Sequence, residues 1–311
     1  MMQLGIDAGA TRVKWSLAHH GNILARGDAP ALTGHLFSKT QQGNATERLQ
    51  HLHASVHQAW PDVNLSSVLA GITGLDAGEP SALTLRTLLS RTFALPEQAV
   101  QVHSDLHLTY LAYYEPGAGA LLYAGTGSIA YLLDSQGKAH RTGGYGYLLG
   151  DEGGAWWLAR ESLKCLLRIK DDGQPPPPVL TAKLQSSLGP LDWPTLRAFV
   201  YGSERSHLAS LAPLVTEAAQ EGDPVAQAII ANAARELARL LSNLTRLHPA
   251  QHDLTACGGA LTPFVFTLLR SYLPHHQVTY GQRCVSDANA LRLTPASAEG
   301  HAEKRVLRPS Q

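Results

Sequence analysis

Four glycine-rich segments of this 311-residue chain contain the residue types best suited to binding an anion. They are residues 7–11, 125–128, 143–154 and 258–259. Glycine leaves backbone N–H groups open to an approaching anion, and successive N–H groups of this kind cradle phosphates. Any one of the segments is equally well explained as an ordinary turn. Four together, with a carboxylate in the first and hydroxyls in the first two, predict a nucleotide-binding protein.

Two common phosphate-binding motifs do not account for these segments. Gly137-Lys138 is followed by Ala139 and lacks the upstream glycine of the Walker A pattern. Residues 125–130 match the dinucleotide pattern GxGxxA, but that pattern requires a helix directly after the turn. The residues that follow read instead as a strand and a second turn, so the sequence argues against a Rossmann site.

The elements around the first two glycine segments repeat along the chain. Strands are predicted at 3–6 and 13–18 on either side of the first segment, with a third strand at 23–25. Strands at 120–124 and 129–133 flank the second segment in the same manner. This repetition predicts two related α/β halves that arose by duplication.

Asp105 stands at a predicted junction between a strand and a helix. The alternation at 99–103 predicts a strand, and Ser104 is a suitable cap for the apolar-periodic residues that follow. Asp105 then either helps to cap this helix or accepts a proton as a general base. The helix dipole is expected to favour its ionised form by roughly 0.3–1 kcal/mol. The residues alone favour the capping role.

Further helices and strands complete the expected architecture. Helices are predicted at 45–59, 80–94 and 224–247, the last capped by Asp223, and strands at 65–72 and 254–257. The four prolines within 171–178 predict an extended linker, because proline cannot continue a helix.

The glycine segments resemble a known superfamily. Gly5-Ile6-Asp7-Ala8-Gly9-Ala10-Thr11 resembles the first phosphate motif of the sugar kinases, actin and the heat-shock chaperone ATPases. Residues 125–128 resemble its second phosphate motif, and Cys257-Gly258-Gly259-Ala260 its adenosine motif. More narrowly, residues 124–128 with the stretch GGYGYLLGDEGG at 143–154 resemble the BadF/BadG/BcrA/BcrD ATPases, whose sugar-phosphorylating members include the N-acetylglucosamine kinases. The similarity spans about residues 3–295, and the long glycine stretch is its most specific part.

The resemblance implies an ATP-dependent phosphorylation of an amino sugar and a role for each matching residue. Asp7 would hold Mg²⁺, through its waters, as a hard oxygen ligand. Asp105 would act as the general base on the sugar hydroxyl. The implied ATP contacts are Thr11, Arg12, Gly125, Thr126, Gly127, Gly258 and Gly259. The implied sugar contacts are Thr73, Asp105, Gly144, Tyr145 and Asp151.

Three departures from the family pattern bear on the identity of the sugar. Tyr145 stands where a tryptophan is expected in the kinases, and Ala8 replaces a usual glycine of the first motif. Residues 29–34 lack the asparagine with which many relatives contact the sugar. The resemblance implies N-acetylglucosamine as substrate and its 6-phosphate as product. Because of the three departures, glucosamine and N-acetylmuramic acid stay open as alternative acceptors.

The resemblance also implies a fold of two actin-like, ribonuclease H-like α/β lobes with mixed sheets. The first lobe is expected at 1–115 and the second at 116–295, with a helical insertion. The nucleotide would lie in the cleft between the lobes. A helix at 287–293 is expected to pack back on the first lobe, and residues 296–311, which are polar and aperiodic, to form a mobile tail.

Composition narrows the remaining classes of function. Lys and Arg total 25, equal to Asp and Glu, so the basic surface of a nucleic-acid-binding protein is not expected. The three cysteines have no paired spacing, and no run of about 18 apolar residues or signal-peptide layout occurs. A cytoplasmic protein without membrane or nucleic-acid partners is the expectation. A homodimer formed through the helical part of the second lobe is compatible with the sequence.

Two other activities occur on the same implied fold. One is an ATPase that activates a dehydratase or reductase through a cysteine-bound iron–sulfur cluster, which the scattered Cys165, Cys257 and Cys284 disfavour. The other is a noncatalytic sugar sensor. Repressors of this fold carry a helix-turn-helix before the first strand, and the strand predicted from Gln3 leaves no room for one in this sequence.

Overall fold

The computed structural model describes residues 2–9, 11–34, 42–75, 79–202, 205–249 and 253–293. These residues form two five-stranded mixed sheets with packed helices, as the α/β prediction requires. The expected mobile tail at 296–311 lies outside the described residues. Over the described ranges, no helix has the length and apolar character needed to cross a membrane.

The first sheet has the strand order β3-β2-β1-β4-β5. Its strands are β1 (Met2–Ala8), β2 (Arg12–His19), β3 (Asn22–Pro30), β4 (Leu65–Ile72) and β5 (Val100–Ser104). The β1–β2 and β2–β3 pairs are antiparallel, whereas β1–β4 and β4–β5 are parallel. The helices of this half are α1 (Gln42–Ala59), α2 (Pro80–Thr92) and α3 (Asp105–Tyr113). Parallel pairing needs crossover connections, which α1 and α2 supply.

The second sheet repeats this arrangement as β8-β7-β6-β9-β10. Its strands are β6 (Gly119–Ala124), β7 (Ser128–Leu133), β8 (Ala139–Gly143), β9 (Asp253–Cys257) and β10 (Val278–Tyr280). The β6–β7 and β7–β8 pairs are antiparallel, and β6–β9 and β9–β10 are parallel. The identical order and pairing in both sheets agree with the predicted duplication.

A long helical segment between β8 and β9 enlarges the second half. Its helices are α4 (Ala155–Asp171), α5 (Pro178–Leu188), α6 (Trp193–Gly202), α7 (Arg205–Ala209), α8 (Ala212–Gln220) and α9 (Pro224–Leu247). Two further helices, α10 (Pro263–Ser271) and α11 (Val285–Arg292), follow β9 and β10 respectively. Each sheet is the centre of its own buried apolar core, so the two halves are separately packed.

The proline-rich segment before α5 is shorter than the predicted linker. The sequence predicts extended chain over 171–178, but α4 continues to Asp171 and α5 begins at Pro178. Proline is well suited to a first helical position, because the N–H that it lacks has no partner there. Asp223 caps α9 as predicted, through Val225 N and Ala226 N, and also accepts from Leu180 N in α5. One buried carboxylate thus joins two helix N-termini.

The last helix, α11, returns to the first sheet and packs directly on β1. A Cβ on Gly5 would lie 2.1 Å from the Ser286 carbonyl oxygen, so only glycine permits this approach. Asn289 donates from Nδ2 to the Ile6 carbonyl oxygen at 2.9 Å. Asp287 accepts from Arg26 and from the buried Ser16 hydroxyl. These contacts hold α11, which begins two residues before the predicted start at 287, on the first sheet.

We expect Gly5→Ala to lower the free energy of unfolding by about 1–3 kcal/mol or more, because the new methyl group must push α11 away from β1. Urea denaturation of the purified variant measures this change. Gly202→Ala is the matched control, since a Cβ at Gly202 meets no atom of the described residues within 4 Å. Equal stability of the two variants would contradict the close packing of α11 on β1.

Candidate active site

Three predicted site residues meet at the carboxyl edge of the first sheet. Asp7 lies near the end of β1, Thr73 directly follows β4, and Asp105 begins α3 immediately after β5. Because β1, β4 and β5 are neighbouring parallel strands, their carboxyl ends lie side by side. Thr73 N donates to the Ala8 carbonyl oxygen at 2.9 Å, and the Thr73 side chain hydrogen-bonds Asp105.

Ser104, rather than Asp105, provides the side-chain cap of α3. The Ser104 hydroxyl accepts from His107 N at 3.2 Å, while Asp105 Oδ1 accepts from the adjacent Leu106 N at 2.8 Å. The carboxylate also receives the Thr73 hydrogen bond. Since the cap is already filled, the arrangement removes the main reason for assigning Asp105 a purely capping role.

Burial, more than the helix terminus, sets the ionisation of Asp105. Desolvation raises the pKa of this carboxyl above its usual value, while hydrogen bonds from Leu106 N and the Thr73 side chain lower it by less. The sequence argument considered only the helix dipole, whereas the net rise of the pKa comes from burial, which depends on tertiary packing. A raised pKa brings a carboxylate nearer to the range in which it accepts protons effectively at neutral pH.

Asp7 is a buried carboxyl that lacks sufficient positive charge around it. Burial first, and Asp105 second, raise the pKa of Asp7 to about 6, while Lys14 opposes them. Over the described parts of the chain, no three His, Cys, Asp or Glu side chains form a metal cluster. Magnesium nevertheless fits, because it is commonly held by one or two carboxylates together with water and phosphate oxygens.

The second glycine turn joins β6 to β7 and is fixed by the start of α4. Ala155 N donates to the Gly125 carbonyl oxygen and Trp156 N to that of Thr126, at 2.9 and 3.1 Å. A Cβ on Gly127 would lie 2.5 Å from the Asp151 carboxylate. The glycine-rich segment at 143–154 is therefore packed directly against this turn.

Tyr123 connects the two halves of the site and was not among the predicted residues. It lies two positions before Gly125, and its hydroxyl would be 2.8 Å from a Cβ at that glycine. Burial raises the pKa of the Tyr123 phenol, and the carboxylates of Asp105 and Asp7 raise it further. The second turn thus lies close to the Asp7 and Asp105 carboxylates. The position of Tyr123 near the end of strand β6, just before the second glycine turn, was the sequence feature that could have indicated its role.

Asp151 is held in an unusual backbone conformation within the long glycine segment. Its φ is +64°, in the left-handed region, and its side chain is almost fully buried. Ser128 N donates to Asp151 Oδ1 at 3.4 Å, and Arg205 Nη2 lies 2.5 Å from Oδ2. Burial raises the pKa of Asp151, and Arg205 acts in the opposite direction. The geometry places this carboxylate at the second turn.

The other predicted sugar contacts lie on the open side of the same segment. Gly144 has φ +69° and packs on Ile129, whereas the Tyr145 side chain is 64% exposed. The Arg141 guanidinium stands 5.8 Å from the centre of the Tyr145 ring. Tyr145 is therefore available to a ligand, and the contact of its ring is with Arg141.

The two glycines after β9 have different surroundings. Gly258 has φ +113°, and a Cβ there would lie 2.3 Å from the Ala124 carbonyl oxygen. A Cβ on Gly259 would meet no atom within 4 Å in the part of the chain that the structure describes. Gly258 is needed for packing against β6, whereas Gly259 leaves the open space expected beside an adenosine. The buried Cys257 next to them has its pKa raised to about 12, chiefly by burial.

Thr11 and Arg12 lie at the exposed tip of the first turn. Arg12 Nη1 is 3.6 Å from Asp28 Oδ1 on β3, and both side chains are more than half exposed. This contact directs the guanidinium along the outer strands. The phosphate-binding roles of Thr11 and Arg12 stay predictions.

Comparison with known proteins supports this architecture. The sequence profile of the BadF/BadG/BcrA/BcrD ATPase family matches residues 4–273. An N-acetylmuramic acid/N-acetylglucosamine kinase of Clostridium acetobutylicum is 26% identical over 201 residues, covering 63% of this chain and 64% of that protein. An N-acetyl-D-glucosamine kinase of Dictyostelium discoideum is 25% identical over 258 residues, covering 78% and 79%.

A solved structure shares the fold across almost the whole chain. It is a provisionally assigned N-acetylglucosamine kinase of Chromobacterium violaceum, with a TM-score of 0.71 and 24% identity. The alignment covers 94% of this chain and 98% of that one. The structural similarity shows the fold, and the profile match over residues 4–273 establishes the family: the chain belongs to the BadF/BadG/BcrA/BcrD ATPases.

Proposed function

We propose that this protein transfers the γ-phosphoryl group of ATP to an amino sugar, with the 6-hydroxyl of N-acetylglucosamine as the leading acceptor. One observation carries the proposal. Tyr123 of the second sheet lies beside the Gly125 turn and is close enough to Asp7 and Asp105 of the first sheet for both carboxylates to raise its pKa. The kinase names of two relatives, each about one-quarter identical, support the same substrate class.

Each side of the proposed centre has a distinct role in the transfer. Asp105 accepts the proton of the attacking sugar hydroxyl as the new oxygen–phosphorus bond forms and the bond from the γ-phosphorus to ADP breaks. The backbone of the Gly125, Thr126 and Gly127 turn holds the phosphates, with Thr11 and Arg12 at the first turn. Magnesium, when bound, neutralises phosphate charge. Asp7 is the residue proposed to hold it, through water.

The sugar is proposed to lie between Thr73 of the first half and the glycine-rich segment of the second. Asp151 accepts hydrogen bonds from sugar hydroxyls, while Gly144 and Tyr145 line the open side. The proposed lobes meet near residues 115 and 116. Their closure on the sugar would exclude water and so limit ATP hydrolysis without transfer.

The proposed adenosine site predicts different outcomes for its two glycines. Gly258→Ala is expected to destabilise the protein by about 2–4 kcal/mol, because its φ and its contact with Ala124 both exclude a methyl group. Gly259→Ala is expected to keep the urea midpoint of the wild-type protein. It should raise the KM for ATP at least about fivefold, because the new methyl group occupies space proposed for the adenosine. Denaturation and ATP titration kinetics measure the two effects. An unchanged KM in Gly259→Ala would contradict the adenosine assignment.

Coupled measurement of ADP release tests the proposed activity. The purified protein with Mg²⁺ and ATP is assayed with N-acetylglucosamine, glucosamine, N-acetylmuramic acid and glucose in parallel. We expect an acetylated amino sugar to stimulate ADP release most strongly, and NMR of the product to locate the phosphate on the 6-oxygen. Stimulation by none of these sugars would overturn the proposal, and binding without turnover would indicate a sensor.

A further inference from the structure

Arg205 contacts the carboxylate proposed to bind the sugar. It begins α7, 54 positions after Asp151 in the sequence, and its Nη2 lies 2.5 Å from Asp151 Oδ2. The Arg205 side chain is 35% exposed, whereas that of Asp151 is 5% exposed. The guanidinium therefore stands between a buried carboxylate and solvent, beside the proposed sugar position.

Asp151 uses only part of the hydrogen-bonding capacity of Arg205. A guanidinium has five N–H donors in a planar fork and stays charged at every pH relevant to an enzyme. The ion pair engages Nη2, while the buried Nε has no hydrogen-bond partner among the residues that the structure describes. A buried donor without a partner is unfavourable, so the site is better satisfied when an additional acceptor reaches this arginine.

An alternating stack of aromatic and cationic side chains holds Arg205 in position. Its guanidinium carbon is 5.3 Å from the centre of the Tyr147 ring, and Tyr147 packs edge-on against Trp156 at 5.1 Å. Arg160 completes the stack on Trp156 at 4.8 Å. Such cation–π contacts fix the plane of the guanidinium. An arginine held in this way is prepared to receive a planar carboxylate.

The charge of the pair determines which sugars the site can accept. Asp151 alone would repel an anionic substituent on a bound sugar, whereas the Asp151–Arg205 pair has no net charge and unused donors on its cationic partner. Glu152 adds negative charge next to Asp151, and Arg141, over Tyr145, adds positive charge on the open side of the same segment. An uncharged amino sugar needs none of this positive charge.

We infer that Arg205 is a specificity-determining residue that binds a carboxylate carried by the sugar, so that acidic N-acetylated amino sugars are accepted alongside neutral ones. This inference rests on the proposed function, because it assigns the sugar to the Asp151 side of the site. The carboxylate takes the donors that Asp151 leaves unused, and Asp151 stays paired and available to the sugar hydroxyls.

Comparison of two sugars that differ by one acidic group tests the inference. N-acetylmuramic acid is N-acetylglucosamine with a lactate ether on the 3-oxygen, and both are assayed for binding by calorimetry and for ADP release. We expect wild-type protein to use both. Arg205→Gln should lose about 10-fold or more in kcat/KM for N-acetylmuramic acid and less than about threefold for N-acetylglucosamine. Arg205→Lys should restore part of the loss.

Arg239→Gln is the matched control. It removes a half-exposed arginine that pairs with Glu236 on α9 and belongs neither to the stack nor to the Asp151 pair, so it should leave the ratio of the two kcat/KM values unchanged. Urea denaturation of each variant verifies that it is folded.

Three results would overturn the inference. The first is that wild-type protein uses N-acetylglucosamine but not N-acetylmuramic acid. The second is that Arg205→Gln loses equal activity toward both sugars, and the third is that Arg239→Gln changes the ratio as much as Arg205→Gln does. In the first case the proposed kinase activity stands. Absence of turnover with every sugar overturns the proposed function instead, and the calorimetric ratio of the two affinities in wild-type protein and Arg205→Gln then decides the inference alone.

Discussion

Asp105→Asn is expected to reduce kcat for sugar phosphorylation by about 10²–10⁴-fold, the usual contribution of a positioned general base. Asparagine preserves the shape of the side chain and can still receive the hydrogen bond from Leu106 N, but it cannot take a proton from the sugar hydroxyl. Nucleotide affinity should change little, because the phosphate-binding turns are untouched. Initial rates of coupled ADP release and calorimetric titration with ATP measure the two quantities separately.

Two control substitutions make this result interpretable. Ser104→Ala removes the side chain that caps α3 and should lower the free energy of unfolding by about 1 kcal/mol while leaving most of kcat. Asp134→Asn removes an exposed carboxylate from the turn between β7 and β8 and should leave the rate unchanged. A near-normal kcat in Asp105→Asn would refute the assignment of the base.

Asp7→Asn is expected to lower kcat/KM for ATP about 100-fold or more and, in the absence of nucleotide and metal, to stabilise the fold. The loss of activity follows from removal of the carboxylate proposed to hold Mg²⁺. The gain in stability follows from the pKa of about 6 that burial and Asp105 impose on Asp7. Ionising this group in the folded state costs about 1–3 kcal/mol above pH 6, and asparagine avoids that cost.

The effect of pH on stability is opposite to that of a carboxylate in an ion pair, whose pKa is lowered on folding. The pKa of Asp7 is raised on folding from 3.8, so the destabilisation is absent below pH 4, grows between pH 4 and 6, and is complete above pH 6. Asp7→Asn should therefore exceed wild type in urea stability at pH 8 and match it near pH 4. For Asp134, whose pKa is lowered mainly by the His140 hydrogen bond, Asn should not stabilise the protein at pH 8. Lower stability of Asp7→Asn at pH 8 would contradict the crowding of the two carboxylates.

The features of the fold that were predicted correctly depend on local patterns. The strand–glycine turn–strand repeat at Asp7 and at Gly125 indicated two related halves, which the matching order of the two sheets confirms. Side-chain caps at Ser104 and Asp223 were recognised because each satisfies N–H groups within three residues of itself. The family resemblance then joined these local signals into one architecture.

Elements with weak local patterns were missed. Strand β8 reads Ala-His-Arg-Thr-Gly, which lacks apolar alternation, and it forms because β7 offers a free edge. Strand β10 has only three residues and depends on pairing with β9. Neither pattern differs from an ordinary loop until the partner strand is in place.

Within the site, the residues that escaped prediction act across large separations in sequence. Tyr123 gains its significance from carboxylates of the other sheet, and Arg205 from an ion pair with Asp151. The sequence indicated the helix-terminal position of Asp105 but not the burial that raises its pKa, because that burial is a product of tertiary packing. Local sequence indicates which residue types are present, whereas desolvation and long-range pairing require the folded chain.

A crystal structure of the complex with Mg²⁺, a nonhydrolysable ATP analogue and N-acetylglucosamine tests the central claim most directly. We expect the backbone of residues 125–127 and the Asp7-held magnesium to contact the same triphosphate, with Asp105 within hydrogen-bond distance of the sugar 6-hydroxyl. A triphosphate bound away from either turn, or a sugar hydroxyl out of reach of Asp105, would contradict the account.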